Sequence, residues 1–295
     1  MIHRILVGVD FRQPSLTAAR WAATHLSSAQ IELVHVLRRP EVPPFLRGLA
    51  DPPADRSAMS EESATRALQG LAETLPGRRI SVRTLQGQPH EALAELANSS
   101  GIDLVVLGRD VLDGSRGRTL ERIARGVDVP ILVIGTQVSG KPASLIAAVD
   151  ASPLRAGVLR CADRLTRLFD AELTLLHVLP EGLGRQVHRL THAWLSGLHR
   201  STGSHGLRLR TSVVEGAAGP CILAEARPSA GLVIVGRTGA DSSSAMGLGS
   251  ATRLVLRAAA GPVLIVPTAD AWRPSLKSLD RRTAELIQAR SVSVA

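Results

Sequence analysis

Short, unbroken apolar runs alternate with stretches of helical periodicity along most of the chain. ILVGV (5–9), LVVLG (104–108) and LVIVG (232–236) are too short for core helices and lack the polar alternation of a strand with one wet face. Such runs fit strands buried on both faces, and their alternation with helices predicts a parallel, doubly wound sheet.

The pattern is written twice. RILVGVDFRQPSLTAARWAATHLSSAQIELVHVL (4–37) returns as SLIAAVDASPLRAGVLRCADRLTRLFDAELTLLHVLP (144–180). QGQPHEALAELANSSGIDLVVLGRD (86–110) returns as EGAAGPCILAEARPSAGLVIVGRTG (215–239), and VPILVIG (129–135) as GPVLIVP (261–267). Each copy reads as five strands with four intervening helices, and a proline, Pro14 or Pro153, is expected in the first turn of its first helix. The expected architecture is two tandem Rossmann-like α/β domains, each with a five-stranded parallel sheet. Their limits are 1–138 and 143–270, with 271–295 as a C-terminal tail.

In doubly wound sheets, ligands bind beyond the carboxyl ends of strands where the winding reverses. Asp150, Val178 and Gly236 fall at such ends in the second copy. GRTGADSSSAMGLGS (236–250) then leads into a helix beginning near Ser250. Unpaired amides and the positive end of the helix dipole make that junction an anion site without a lysine. Gly236, Gly239 and Gly249 permit backbone conformations and close approach that a side chain would block, and Ser250 and Thr252 offer hydroxyls. The plainer alternatives are a surface loop with Ser250 as helix N-cap, and Asp150 as an Asx turn.

The spacing Gly-x2-Gly-x9-Gly-Ser, placed after the fourth strand of a repeat whose first strand ends in Val-Asp, resembles the universal stress protein family in its tandem two-domain form. The resemblance covers nearly the whole chain apart from the tail. It implies ATP as ligand, with or without Mg²⁺. By position it puts Ala148, Asp150 and Val178 near adenine and ribose, Val235 and Gly236 on the nucleoside side, and Gly239, Gly249, Ser250 and Ala251 around the phosphates. It also implies that the halves pair through PILVI and PVLIV as a pseudo-dimer, and that chains associate further into a homo-oligomer.

The first copy departs from this pattern. After Gly108 only eight residues precede Gly117, against twelve between Gly236 and Gly249, and Val111 stands where Gly239 stands. Valine would disfavour positive backbone angles, and Asp110 and Asp113 would repel phosphate. Asp10, Arg116 and Arg118 remain as features an anion would favour. The expectation is a degenerate first site in a half that is mainly structural or regulatory.

Composition narrows the function classes. Aromatic residues are 2% with no tyrosine, so stacking platforms for bases are scarce. The net charge of +9 is almost all arginine, because Lys141 and Lys277 are the only lysines, and the arginines are scattered among acids. That distribution argues for a solvated basic surface against a nucleic-acid groove. No apolar run approaches the roughly 20 residues that span a bilayer. MIHRILVGVD enters a strand at once, which predicts a cytoplasmic protein without a leader, and Cys161 and Cys221 are expected as buried free thiols.

Several motifs compete for attention. GTQVSGKP (135–142) matches seven positions of a P-loop, but Pro142 replaces the hydroxyl residue and a strand follows, so a linker between domains is expected. His188, His192, His199 and His205 gather in one region without a helical Glu or thiolate, which favours a solvated face over zinc. His35 and His177 are expected as satisfied histidines at strand ends. In the tail, LDRRTAELIQA offers Leu279, Ala284, Leu286 and Ile287 for docking. Three functions stand at this point: an ATP-binding stress regulator with an unidentified protein partner, a slow ATPase or nucleotide-transferring enzyme, and a scaffold that binds no nucleotide.

Overall fold

The computed structural model describes residues 2–38, 59–77, 79–109, 117–201, 208–226, 231–239 and 247–272. The first half runs β1 (Arg4–Gly8), α1 (Gln13–His25), β2 (Gln30–Leu37), α2 (Glu61–Thr74), β3 (Ile80–Gln86), α3 (Pro89–Ser99), β4 (Leu104–Arg109), α4 (Gly117–Gly126) and β5 (Ile131–Gly135). The second runs β6 (Ser144–Ala148), α5 (Arg155–Phe169), β7 (Glu172–Leu179), α6 (Arg185–Ser201), β8 (Leu209–Glu215), α7 (Ala218–Ala226), β9 (Leu232–Gly236), α8 (Ser250–Ala258) and β10 (Val263–Val266). The chain is thus α/β, and its two halves share the doubly wound order.

All strands among the described residues join one sheet, ordered β3-β2-β1-β4-β5-β10-β9-β6-β7-β8. Pairing is parallel within each half and antiparallel only at the centre, where Val263, Leu264 and Ile265 face Val133, Leu132 and Ile131. The pairing of the halves through their last strands is therefore present, and it places β5 and β10 inside the sheet instead of leaving an open edge.

The apolar runs are buried on both faces because successive side chains of a strand point to opposite sides. Ile5 and Val7 join one core while Leu6 joins the other. Leu232 and Ile234 are divided from Val233 and Val235 in the same way, as are Leu264 and Val266 from Val263 and Ile265. One core holds apolar residues of α1, α2, α5 and α6, the other those of α3, α4, α7 and α8, and both contain residues of both halves. Each fully buried Leu, Ile or Val side chain contributes about 1.5–3 kcal/mol, so the shared cores bind the halves into one body.

One expected helix start moves. Pro14 lies in the first turn of α1, but Pro153 precedes α5. The Asp150 carboxylate accepts the Ser152 amide at 3.0 Å, and the Arg155 amide closes a turn on Ser152 O at 3.1 Å, which delays the helix. No helix among the described residues is long and apolar enough to cross a membrane.

Candidate functional site

In the second half the winding reverses between β6 and β9, which lie side by side with Ala147 opposite Ile234. On the other side of β6 lies β7, with Ala148 opposite Leu176. The carboxyl ends of three neighbouring strands thus bring together Val235 and Gly236 from β9, Ala148 and Asp150 from β6, and Val178 from β7. The main chain beyond β6 is fixed by the Val149 amide on Leu176 O at 2.8 Å, and His177 Nδ1–H donates to Val149 O at 2.6 Å. His35 does the same to Val9 O at 2.7 Å in the first half, so both histidines are satisfied at Nδ1.

The described ends of the glycine loop meet beside these strand ends. The Arg237 amide donates to Val266 O at 2.8 Å, and Arg237 O accepts the Gly249 amide at 2.9 Å, which brings the loop's departing and returning ends together. A Cβ on Gly249 would lie 3.4 Å from the Gly239 nitrogen, and one on Gly239 would lie 3.3 Å from Asp150 Oδ2. Residues 240–246, which span these ends, lie outside the described residues. Gly249 is the N-cap of α8 in extended conformation, and Ser250 is the first helical residue, exposed and not the cap. Arg253 makes the first i→i−4 bond, to Gly249 O at 2.9 Å. The amides of Ser250, Ala251 and Thr252 have no carbonyl within the helix to bond, and they carry the positive end of its dipole.

Gly236, Gly239 and Gly249 do not serve unusual angles, because positive φ is found at glycines 77, 87, 101, 182 and 216 and not at these three. Thr252 is buried and its hydroxyl donates to Gly236 O at 2.7 Å, so it secures α8 to β9 instead of offering a free donor. Asp150 does form the Asx turn, yet its second oxygen faces Gly239, so the turn and the crevice share one carboxylate.

Arg237 also turns away from the loop. Its Nη1 donates to Arg125 O at 3.2 Å and Val127 O at 3.3 Å at the end of α4, and lies 3.9 Å from Asp128. Its counterpart Arg109 is buried and donates to Leu256 O, Ala259 O and Gly261 O at the end of α8. Burial lowers the Arg109 pKa to about 10, which leaves it charged at neutral pH. The two arginines were not singled out as a pair in the sequence. Their signal is that each follows a matched glycine near the carboxyl end of its strand, Gly108 in β4 or Gly236 in β9.

At the matching place in the first half, a Cβ on Gly108 would overlap the Pro14 carbonyl and reach 2.5 Å from the Ser15 nitrogen. The amino end of α1 therefore lies directly on β4. Gly236 is less crowded, with Thr238 O at 3.1 Å and Leu154 Cδ1 at 3.2 Å from a built Cβ. Phe11, at φ 59°, packs its ring 4.8 Å from that of His35, where the second half has Ala151 after Asp150. Asp10 accepts the Arg12 amide at 3.0 Å. Asp110, Val111, Asp113 and Arg116 lie outside the described residues, as does the Arg118 side chain.

The remaining motifs have structural surroundings. The stretch 135–142 runs from β5 toward β6, and its carbonyls at Ser139 and Gly140 meet His25 Nε2 and Trp21 Nε1. His188 is not simply solvated: Nε2 lies 2.7 Å from Glu215 Oε1, tying α6 to the end of β8. That bond, with the Gly182 amide, lowers the Glu215 pKa. His192 meets Thr211 at 3.4 Å, while the His199 side chain and His205 lie outside the described residues. Among the described residues no group of three or more His, Cys, Asp or Glu side chains is arranged to hold a metal ion. Cys161 is buried and free, whereas Cys221 is free and only half-buried. The tail beyond Trp272 lies outside the described residues.

The sequence profile of the universal stress protein family matches residues 1–135 and again 144–267. A universal stress protein from Archaeoglobus fulgidus has a similar structure, with TM-score 0.66 and 17% identity over 89% of this chain and 97% of that one. One so described from Pseudomonas aeruginosa gives TM-score 0.64 and 17% identity over 92% and 95%. The cytoplasmic domain of a prokaryotic cation chloride cotransporter gives TM-score 0.55 and 12% identity over 95% and 100%. No curated protein matches the chain.

Proposed function

The chain belongs to the universal stress protein family, and on that premise we propose that its second half binds one adenine nucleotide, ATP, in the crevice between β6 and β9. The observation that carries this reading is the meeting of Gly239, Gly249 and the Asp150 carboxylate at the amino end of α8, where side chains at the two glycines would fill a cradle. In this reading Ala148, Asp150, Val178, Val235 and Gly236 hold the nucleoside. The amides near Gly239, Gly249, Ser250 and Ala251 hold the phosphates, as helix amino ends hold anions.

We further propose a regulatory role in a stress response, in which nucleotide occupancy alters the choice of a protein partner, with self-association of the chain part of the same reading. A partner that prefers the occupied form must in turn tighten nucleotide binding. Binding without turnover is the favoured chemistry. Phosphoryl transfer draws on charge neutralisation at the phosphates, whereas the Arg237 guanidinium is engaged on α4 and Arg253 reaches Leu248 O and Glu121.

The test is mass analysis of nucleotide released from the purified protein, followed by ATP titration of wild type and of a Gly239→Val, Gly249→Val double variant. The reading expects adenine nucleotide and a titratable site that the double variant loses. Equal binding by the double variant, or none by wild type, would overturn it.

A further inference from the structure

We propose that Arg237 is a positioning residue that fastens the glycine loop of the second half to the end of α4 in the first, so that occupancy of the crevice is felt across the central strand pair. The inference rests on the nucleotide reading for its functional consequence but not for its geometry. Arg237 joins three parts of the molecule. Its amide is bonded to β10 through Val266 O at 2.8 Å, and its carbonyl accepts the Gly249 amide at 2.9 Å and so closes the loop. Its guanidinium, with 15% of the side chain exposed, donates to Arg125 O and Val127 O at 3.2 and 3.3 Å. A displacement of Gly249 therefore pulls on a residue whose side chain is anchored in the other half.

The anchorage is reciprocated. Arg109 donates to the last carbonyls of α8, the helix whose first turn forms the phosphate side of the crevice. Each guanidinium sits at the negative end of the opposite half's helix, where a cation is favoured. A third connection runs along the helices: Glu121 of α4 accepts Arg257 at 3.0 Å and lies 3.5 Å from Arg253 Nε of α8. The α8 helix is thus held by the first half directly at its carboxyl end and along its length, and at its amino end through Arg237. A half whose own loop has lost the glycine spacing then has a defined role as the platform that senses or sets the loop of the other.

Hydrogen exchange on the full chain, with and without ATP, tests this. In the protein without nucleotide, Arg237→Ala should speed exchange both at residues 248–253 and at Val127 and Asp128, whereas a purely local role would move the loop alone. ATP should slow exchange at both places in wild type and only at the loop in the variant, with affinity weaker by about tenfold, a usual size for coupling between sites. Arg237→Lys, which keeps the charge but not the planar fork, should fall between them, and Arg237→Gln serves if the alanine variant does not fold. Unchanged exchange at Val127 and Asp128 in the variant overturns the inference whether or not ATP binds. Failure of wild type to bind any adenine nucleotide sinks the nucleotide reading separately, and the arm without nucleotide still decides the anchorage.

Discussion

Gly108 and Gly236 occupy matching positions near the carboxyl ends of β4 and β9, and each is followed by an arginine, yet the two are glycine for different reasons. At Gly108 the backbone of α1 lies against the strand so closely that any Cβ overlaps the Pro14 carbonyl. At Gly236 the neighbours are a loop carbonyl and the flexible end of Leu154, and α5 starts at Arg155, beyond a turn built on Asp150. In the first half the strand end is covered by a helix and Phe11 packs on His35. In the second, Ala151 stands in the place of Phe11, and Gly239 comes against Asp150 Oδ2. A repeated sequence feature thus serves packing in one copy and, in the proposed reading, ligand access in the other.

The largest effect that would break this comparison is on stability. Gly108→Ala should destabilise the protein by about 3 kcal/mol or more, because backbone must move, whereas Gly236→Ala should cost about 1 kcal/mol. Urea unfolding of the two variants checks it, and equal losses would remove the distinction. Arg109→Ala should come next, at about 2–3 kcal/mol, since it strips a buried charge-assisted donor from the carbonyls at the end of α8. The same change at the more exposed Arg237 should cost about 1 kcal/mol.

Smaller still should be the stability effect of Gly239→Ala, within about 0.5 kcal/mol at an exposed loop position. Its effect should show in ATP affinity, through the methyl group placed against Asp150 Oδ2. A melting temperature lowered as much as by Gly108→Ala would mean that the loop is a packing element like its counterpart.

The smallest effect concerns the His188–Glu215 tie. The Glu215 pKa is lowered in the folded protein, so the tie's contribution is present above the ordinary glutamate range and is lost as pH falls through the lowered value. Both groups are open to solvent, so His188→Ala should leave neutral-pH stability almost unchanged while flattening acid unfolding slightly. A thermal scan against pH follows the difference.

Much of this was legible in the sequence. The double alternation of Ile5, Leu6 and Val7, or of Leu232 to Val235, already requires a strand covered on both sides, and the repeat already places two such sheets in tandem. Spacing also located the loop against the amino end of α8. It did not reveal where long or rotatable side chains turn. Arg237 lies two residues before Gly239, yet its guanidinium crosses to α4, because the carbonyls at a helix end attract it there. Thr252 similarly turns its hydroxyl inward to Gly236 O, which satisfies a buried donor. Pro153 marked a helix start too early because an Asx turn competes with the helix for the same residues.

Whether one half and not both takes a nucleotide is decided by calorimetric titration of the full chain with ATP. Saturation at one nucleotide per chain is expected, abolished by Gly239→Val with Gly249→Val. Two nucleotides per chain, or one that survives both substitutions, would contradict it.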